Sequence, residues 1–281
     1  MKRIIITISL LASALVSQAQ TSGVESLAMP FSRLPKTASS LAMGATPTVY
    51  DPSSFVLSGK DFSSELSYFG LKSDIPSNNL GVNLAYGLTD RLALTVDGLM
   101  SMGAEIDGIK SSDMAFGAGA AFAITRNISI GLSGRYLTSS IGEDVSYSAF
   151  NADIMMGARF DDFNAGFGIR GLGSKVADSP LPCSLSADLG YRLGFAVKNA
   201  VDFKLAADYY FCNALAFGAG AQYSWNEMVF ARVGYHKGAV LPDFLSMGCG
   251  FAFKGFALDF TYLLSSPTIG SSAMLGIGFS F

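Results

Sequence analysis

The sequence predicts an all-β protein: a transmembrane antiparallel β-barrel of about fourteen strands with an N-terminal plug-like segment. Three observations carry that reading. From Asp61 to the end, apolar residues alternate with small or polar ones at a period of two, in segments of about ten residues. The connections between those segments alternate between tight and longer. The chain is 50% hydrophobic and 15% charged, yet after its N-terminal leader no apolar run approaches the ~18 residues of a spanning helix. That much apolar surface can be hidden only by alternation. A sheet closed on itself then satisfies every backbone group in lipid and leaves no exposed edge.

Taken in order, Met1-Lys2-Arg3 is basic, Ile4 to Val16 is apolar apart from Thr and Ser, and Ser17-Gln18-Ala19 is small or polar. Residues 1–19 therefore read as a secretory signal peptide, too short to span a membrane. Residues 20–60 show no strand alternation. Leu34 to Gly44 reads as a turn, a short helical piece and a glycine, and Asp51-Pro52-Ser53-Ser54 as another turn. This segment is expected inside or beneath the barrel, on the periplasmic side or as a plug. Residues 61–281 form the barrel, with strands at 61–70, 79–88, 91–101, 112–124, 128–138, 147–160, 163–172, 183–193, 201–211, 213–225, 227–237, 244–254, 255–264 and 272–281. Tight links follow the even strands, as at Thr89-Asp90 and Lys254-Gly255. Longer ones follow most odd strands: Leu71 to Asn78, Met102 to Ser111, Ser139 to Ser146, Gly173 to Pro182, Gly238 to Asp243 and Ser265 to Gly270. Exceptions are the brief Cys212-Asn213 link and the longer Gly194 to Ala200 turn. Short turns define the periplasmic rim of an outer-membrane barrel, and an even strand count puts both barrel ends there.

The two faces separate by parity. Leu92, Leu94, Val96, Phe116, Phe122, Ile130, Phe167, Phe217, Val233, Phe251, Leu258 and Phe260 face lipid. The charges fall on the other parity: Asp97, Arg135, Asp153, Arg159, Arg170, Asp188, Arg192, Asp202, Lys204, Asp208, Arg232 and Asp259. One Arg or Lys on the lipid face at midplane costs about 2–4 kcal/mol, which enforces this separation. Mixed signs facing a narrow lumen predict a polar network filling it rather than a wide pore. Tyr and Phe near strand ends, among them Tyr68, Tyr86, Tyr136, Tyr191, Phe160 and Phe163, suit the interfacial girdles. The expected localisation is the outer membrane of a Gram-negative bacterium, with outer-membrane lipid as a partner.

The residues point away from catalysis, metal and cofactor. The one His, His236, has no marked Ser and carboxylate beside it for a hydrolytic trio, and one His cannot form a His cluster. Gly117-Ala118-Gly119 and Gly218-Ala219-Gly220 precede no helix and so are strand glycines, not a nucleotide loop. A net charge of −3 argues against nucleic acid. Of three Cys, Cys249 has lipid-facing parity, while Cys183 and Cys212 fall at the outer ends of adjacent strands. That makes them candidates for a disulfide in an oxidising compartment, with register deciding.

The last strand alternates Leu275, Ile277, Phe279 and Phe281 with Gly276, Gly278 and Ser280. A terminal Phe with an aromatic two residues earlier resembles the insertion signal of outer-membrane barrels. It implies the barrel assembly machinery as a partner during insertion, with Phe279 and Phe281 as the signal. Further motifs follow in order: Phe163 to Val176, Leu181-Pro182, Asp188-Leu189-Gly190-Tyr191, Phe217 to Tyr223, Phe230 to Tyr235, Gly248-Cys249-Gly250-Phe251 and Leu258 to Tyr262. With Leu34 to Ala38 and Leu41 to Gly44, they resemble the PorV/PorQ family of Bacteroidetes outer-membrane proteins, itself similar to the FadL fatty-acid transporter barrels. That resemblance implies a non-enzymatic partner or receiver in type IX protein secretion or surface assembly, contacting other outer-membrane or secreted proteins. The alternative is a FadL-like importer of hydrophobic small molecules such as fatty acids. Where the family shows Asn-Pro-Ala before the first strand, this chain has Asp51-Pro52-Ser53-Ser54, a departure from a FadL-type hatch.

Overall fold

The computed structural model describes residues 27–48, 50–72, 76–105, 110–142, 145–196, 198–265 and 272–281. The signal peptide lies outside the described residues. Period-two alternation yields fourteen strands: β1 (Phe62–Leu71), β2 (Ser77–Thr89), β3 (Leu92–Gly103), β4 (Ser111–Ala123), β5 (Ile128–Ile141), β6 (Val145–Phe160), β7 (Phe163–Gly173), β8 (Ser184–Ala196), β9 (Asn199–Tyr210), β10 (Ala214–Trp225), β11 (Val229–Lys237), β12 (Phe244–Phe253), β13 (Phe256–Ser265) and β14 (Ser272–Ser280). Each pairs antiparallel with its chain neighbours, and β1 closes on β14 in the register Ser63↔Ser280 to Gly70↔Ala273. No edge remains. At the seam the ring of Phe281 stacks on Phe62 at 5.5 Å, and the Asp61 and Phe62 amides donate to the Phe281 carbonyl.

Both ends of the barrel sit on the rim with short turns, which the rule for outer-membrane barrels makes periplasmic. Two connections differ from the sequence reading. Strands β5 and β6 run on to Ile141 and Val145, so residues 139–141 and 145–146 are paired strand rather than loop. Strands β8 and β9 likewise extend to Ala196 and Asn199, which pair with a register shift between Gly194 and Ala196. Outward side chains are apolar on every strand: Val96 is 52% exposed, Phe116 55%, Leu258 53% and Phe167 53%. Such a belt on a closed cylinder is stable only in hydrocarbon. The chain is a multi-pass outer-membrane β-barrel.

The segment before β1 threads the lumen. It opens with a 3-10 turn (Pro30–Arg33) and contains two one-turn helices, α1 (Ala38–Ala42) and α2 (Pro52–Val56). Thr37 caps α1 through the Ser40 amide. Asp51, read from sequence as part of a turn, instead caps α2: its carboxylate accepts from the Ser53 amide, with Pro52 in the first turn. Pro is favoured there because its missing N–H has no intrahelical partner to lose. Helix α1 packs on β11 to β14, and α2 on β2 to β6. Inward glycines make room for this backbone: a Cβ on Gly218 or Gly234 would collide with Gly44, and one on Gly220 with Met43.

Candidate functional site: the plugged lumen

The register places inward side chains of β3 to β6 in rows across the wall. One row is charged or polar: Asp97↔Gly117↔Arg135↔Asn151. The next row outward is wholly apolar: Leu99↔Ala115↔Leu137↔Ala149. In the charged row Gly117 has no side chain, and across that gap Arg135 Nε donates to both Asp97 oxygens at 3.1 and 3.3 Å. The same guanidinium binds Asp153, and Lys36 of the segment binds Asp97. Asp153 also accepts the Gly171 amide at 2.7 Å, at a bulge where β7 has one residue more than β6 and Gly171 takes a φ of +72°.

The apolar row is covered by the segment. Met29 and Phe31 pack on Leu99, Ala115, Leu137 and Ala149, with Leu181 of the β7–β8 loop closing over them. Across the lumen, Leu41 packs on inward Phe69, Phe244, Leu263 and Met274. Neither cluster figured in the sequence reading, which found only charges on the lumen parity. The signal was available: Leu99, Leu137, Leu263 and Met274 sit on that parity in the outer halves of their strands. The outer half of the lumen therefore holds two filled apolar clusters among polar groups, and the inner half is polar. Above the filled layer the next row is Ser101↔Asp113↔Ser139↔Tyr147, with Ser139 donating to Asp113, and beyond it Val145 pairs with Ile141. Tyr147, Val145 and Ile141 are 41%, 41% and 49% exposed.

The predicted lumen charges divide into groups rather than one network. Arg170 binds Asp51 at 3.1 Å. Asp208 accepts from Ser184 and Ser186. Arg232 joins Asp259 and Gln222. Lys204 donates to the Pro47 carbonyl at 2.9 Å, and Asp188 lies over Gly166. Arg159 and Arg192 lie at the periplasmic end of the lumen and are exposed there, the first donating to the Leu57 carbonyl and the second bound to Glu227 and 3.9 Å from Asp202. Arg33, a segment residue outside the predicted set, donates to the Pro182 carbonyl at 3.0 Å and lies over the Tyr210 ring. The ring of His236 stacks on Phe244 at 5.0 Å, with Nδ1 3.2 Å from the Gly44 carbonyl oxygen, so it holds the segment against β11.

The candidate disulfide between Cys183 and Cys212 is not formed; both are free. Register is the reason: Ser184 pairs with Tyr210 and the Phe211 amide donates to the Cys183 carbonyl, so Cys212 is one residue out of step and on the other face. Cys249 is exposed on the outer wall, as its parity predicts. The rings of Phe279 and Phe281 pack tilted against one another at 5.8 Å beside the seam.

A plugged, closed barrel with this belt defines an outer-membrane protein of the fourteen-strand type. No known family matches the sequence, and no curated relative matches it. Solved structures match the fold. The CymD monoaromatic hydrocarbon channel aligns with a TM-score of 0.63 at 14% identity, over 87% of this chain and 97% of that one. The Pseudomonas putida toluene transporter TodX aligns at 0.55 and 10%, over 88% and 98%. A Pseudomonas aeruginosa FadL homologue aligns at 0.50 and 11%, over 93% and 97%. This chain thus has the FadL-like barrel fold.

Proposed function

We propose that the protein is a non-enzymatic outer-membrane channel admitting small apolar molecules, held shut by residues 27–57. The observation that carries this is the apolar layer Leu99, Ala115, Leu137 and Ala149, occupied by Met29 and Phe31 of the protein's own segment. An apolar layer inside a lumen otherwise lined by charges costs stability when empty and wet, so it needs an occupant. The segment supplies one at rest. Displacing it exposes that apolar layer, reached from outside past Ile141, Val145 and Tyr147. Such a layer selects by size and apolarity. Neighbours described as channels for monoaromatic hydrocarbons and as a toluene transporter support the same class of solute.

This reading reverses the order of the two suggested by sequence. The secretion-partner role of the PorV/PorQ type rests on the order of short motifs alone, and no similarity found supports it. The two separate in one experiment. Uptake of radiolabelled toluene is measured in cells carrying the protein, the M29A/F31A variant or an empty vector. The expected result is uptake above background with the wild type and faster uptake with the variant, reversed by adding Leu137→Glu. If both stay at background while a secreted or outer-membrane protein co-purifies stoichiometrically, the channel reading fails and the secretion role replaces it.

A further inference from the structure

The inner half of the lumen is not filled. Below the charged row a cavity of about 430 Å³ opens at the periplasmic rim, between Arg159, Arg192 and Lys60. The apolar-channel reading does not use it: its lining mixes apolar residues such as Leu189 and Phe203 with charged ones, among them Asp188, Lys204 and Arg232. It lies within the volume range of small-molecule sites.

Its walls are constructed. Glycines alternate with the polar residues, and each makes space for a neighbouring side chain. A Cβ on Gly166 would collide with the Asp188 carboxylate, and one on Gly190 with the Asn164 amide. These two polar groups therefore lie flat on adjacent strands and leave the centre open. Lys204 stands between Gly190 on β8 and Gly220 on β10, both without side chains. Among the described residues its ammonium has no carboxylate within ion-pair distance; its one hydrogen bond is to the Pro47 carbonyl. Asp188 has no hydrogen bond or ion pair among the described residues. By contrast Arg232 and Asp259 are paired with each other, and Asp202 takes the Gln222 amide at 3.0 Å. A partly buried cation and a partly buried anion thus both face one cavity, neither in direct contact with an opposite charge among the described residues. Leaving such groups unsatisfied is costly, which favours a ligand carrying both charges.

The spacing is defined by register. Asp188 pairs with Ala206, so Lys204 is its diagonal neighbour. The two residues are thus near one another on the wall, and both line the cavity. We propose that this vestibule binds a short zwitterionic peptide from the periplasm, its carboxylate on Lys204 and its ammonium on Asp188. A simple anion would meet Asp188, and a simple cation Lys204; a zwitterion satisfies both.

The test uses the purified barrel in detergent and isothermal titration calorimetry. The probes are the dipeptide alanylalanine and its N-acetylated, C-amidated form, which has the same backbone and neither charge. Saturable binding of the free dipeptide and none of the capped one is expected. K204M and D188N should each weaken binding about tenfold or more, since each removes one charge-assisted contact. Heat-modifiable gel mobility checks that both variants keep the closed barrel. The capped peptide on the wild type needs no variant, so the proposal stays testable if one misfolds. No saturable binding of alanylalanine overturns it, as does equal binding of the capped form or binding unchanged in both folded variants. Toluene uptake does not enter this test, so its outcome is independent of the channel reading.

Discussion

Replacing Arg135 by Met should destabilise the charged row that anchors the segment to the β3–β6 wall. The side chains of Arg135, Asp97 and Asp153 are only 19%, 13% and 11% exposed. Removing one partner of a buried ion pair costs about 3–5 kcal/mol, because the other charge stays buried and uncompensated. Here Lys36 remains on Asp97, and Asp153 keeps the Gly171 amide. The loss should therefore fall at the low end, about 3 kcal/mol. Adding Asp153→Asn removes the orphaned charge, so R135M/D153N should lose less than the sum of the single changes, with a coupling of about 0.5–3 kcal/mol. Urea unfolding in lipid vesicles, read at the transition midpoint with unchanged slope, measures all three. A cost under about 1 kcal/mol for R135M, the range of an exposed pair, or strict additivity in the double variant would refute the assignment of this row as the segment's anchor.

Two further changes probe the lipid face and the segment. Val96→Arg puts a cation on the half-exposed outer wall of β3 and should cost about 2–4 kcal/mol in the same vesicle unfolding assay. A neutral result would mean that this wall does not face hydrocarbon. Asp51→Ala removes both the cap on α2 and the partner of Arg170, whereas Asp51→Asn keeps a capping oxygen. Limited trypsin digestion at Arg33 and Lys36 should be faster in D51A than in D51N, and slowest in the wild type. Equal rates would mean that α2 does not hold the segment in place.

Strand number, register parity and the two rims were legible in the sequence because each follows from a local rule. A lipid-facing Leu92 and a lumen-facing Asp97 are separated by alternation alone. The strand end points were legible only approximately: β5 and β6 continue beyond their expected ends because Ile141 and Val145 still alternate and still pair. The lumen was half legible. Asp97, Arg135 and Asp153 could be assigned to one face, but their meeting depends on an absent side chain at Gly117 and a bulge at Gly171, both long-range facts. The apolar layer escaped notice because Leu99 and Leu137 look ordinary one strand at a time; they form a surface only once four strands are in register. The segment's Met29 and Phe31 carry no periodicity at all. The Cys183–Cys212 pairing failed for a single-residue offset that no propensity encodes.

The two short helices grip opposite sides of the wall: α1 holds β11 to β14 and α2 holds β2 to β6. Hydrogen bonds around a barrel resist stretching along its circumference but do little against flattening, since neighbouring strands can pivot about one another. A chain that crosses the bore and is fastened at both ends works as a strut. Carbonyls of the segment are tied by Ser67, Asn83 and Thr261 near α1 and by Ser129 near α2. The cylinder is thereby braced across its diameter, and its cross-section is fixed by a segment that belongs to no strand. Any event that frees one end of that segment changes the shape of the whole bore, not only the space the segment filled.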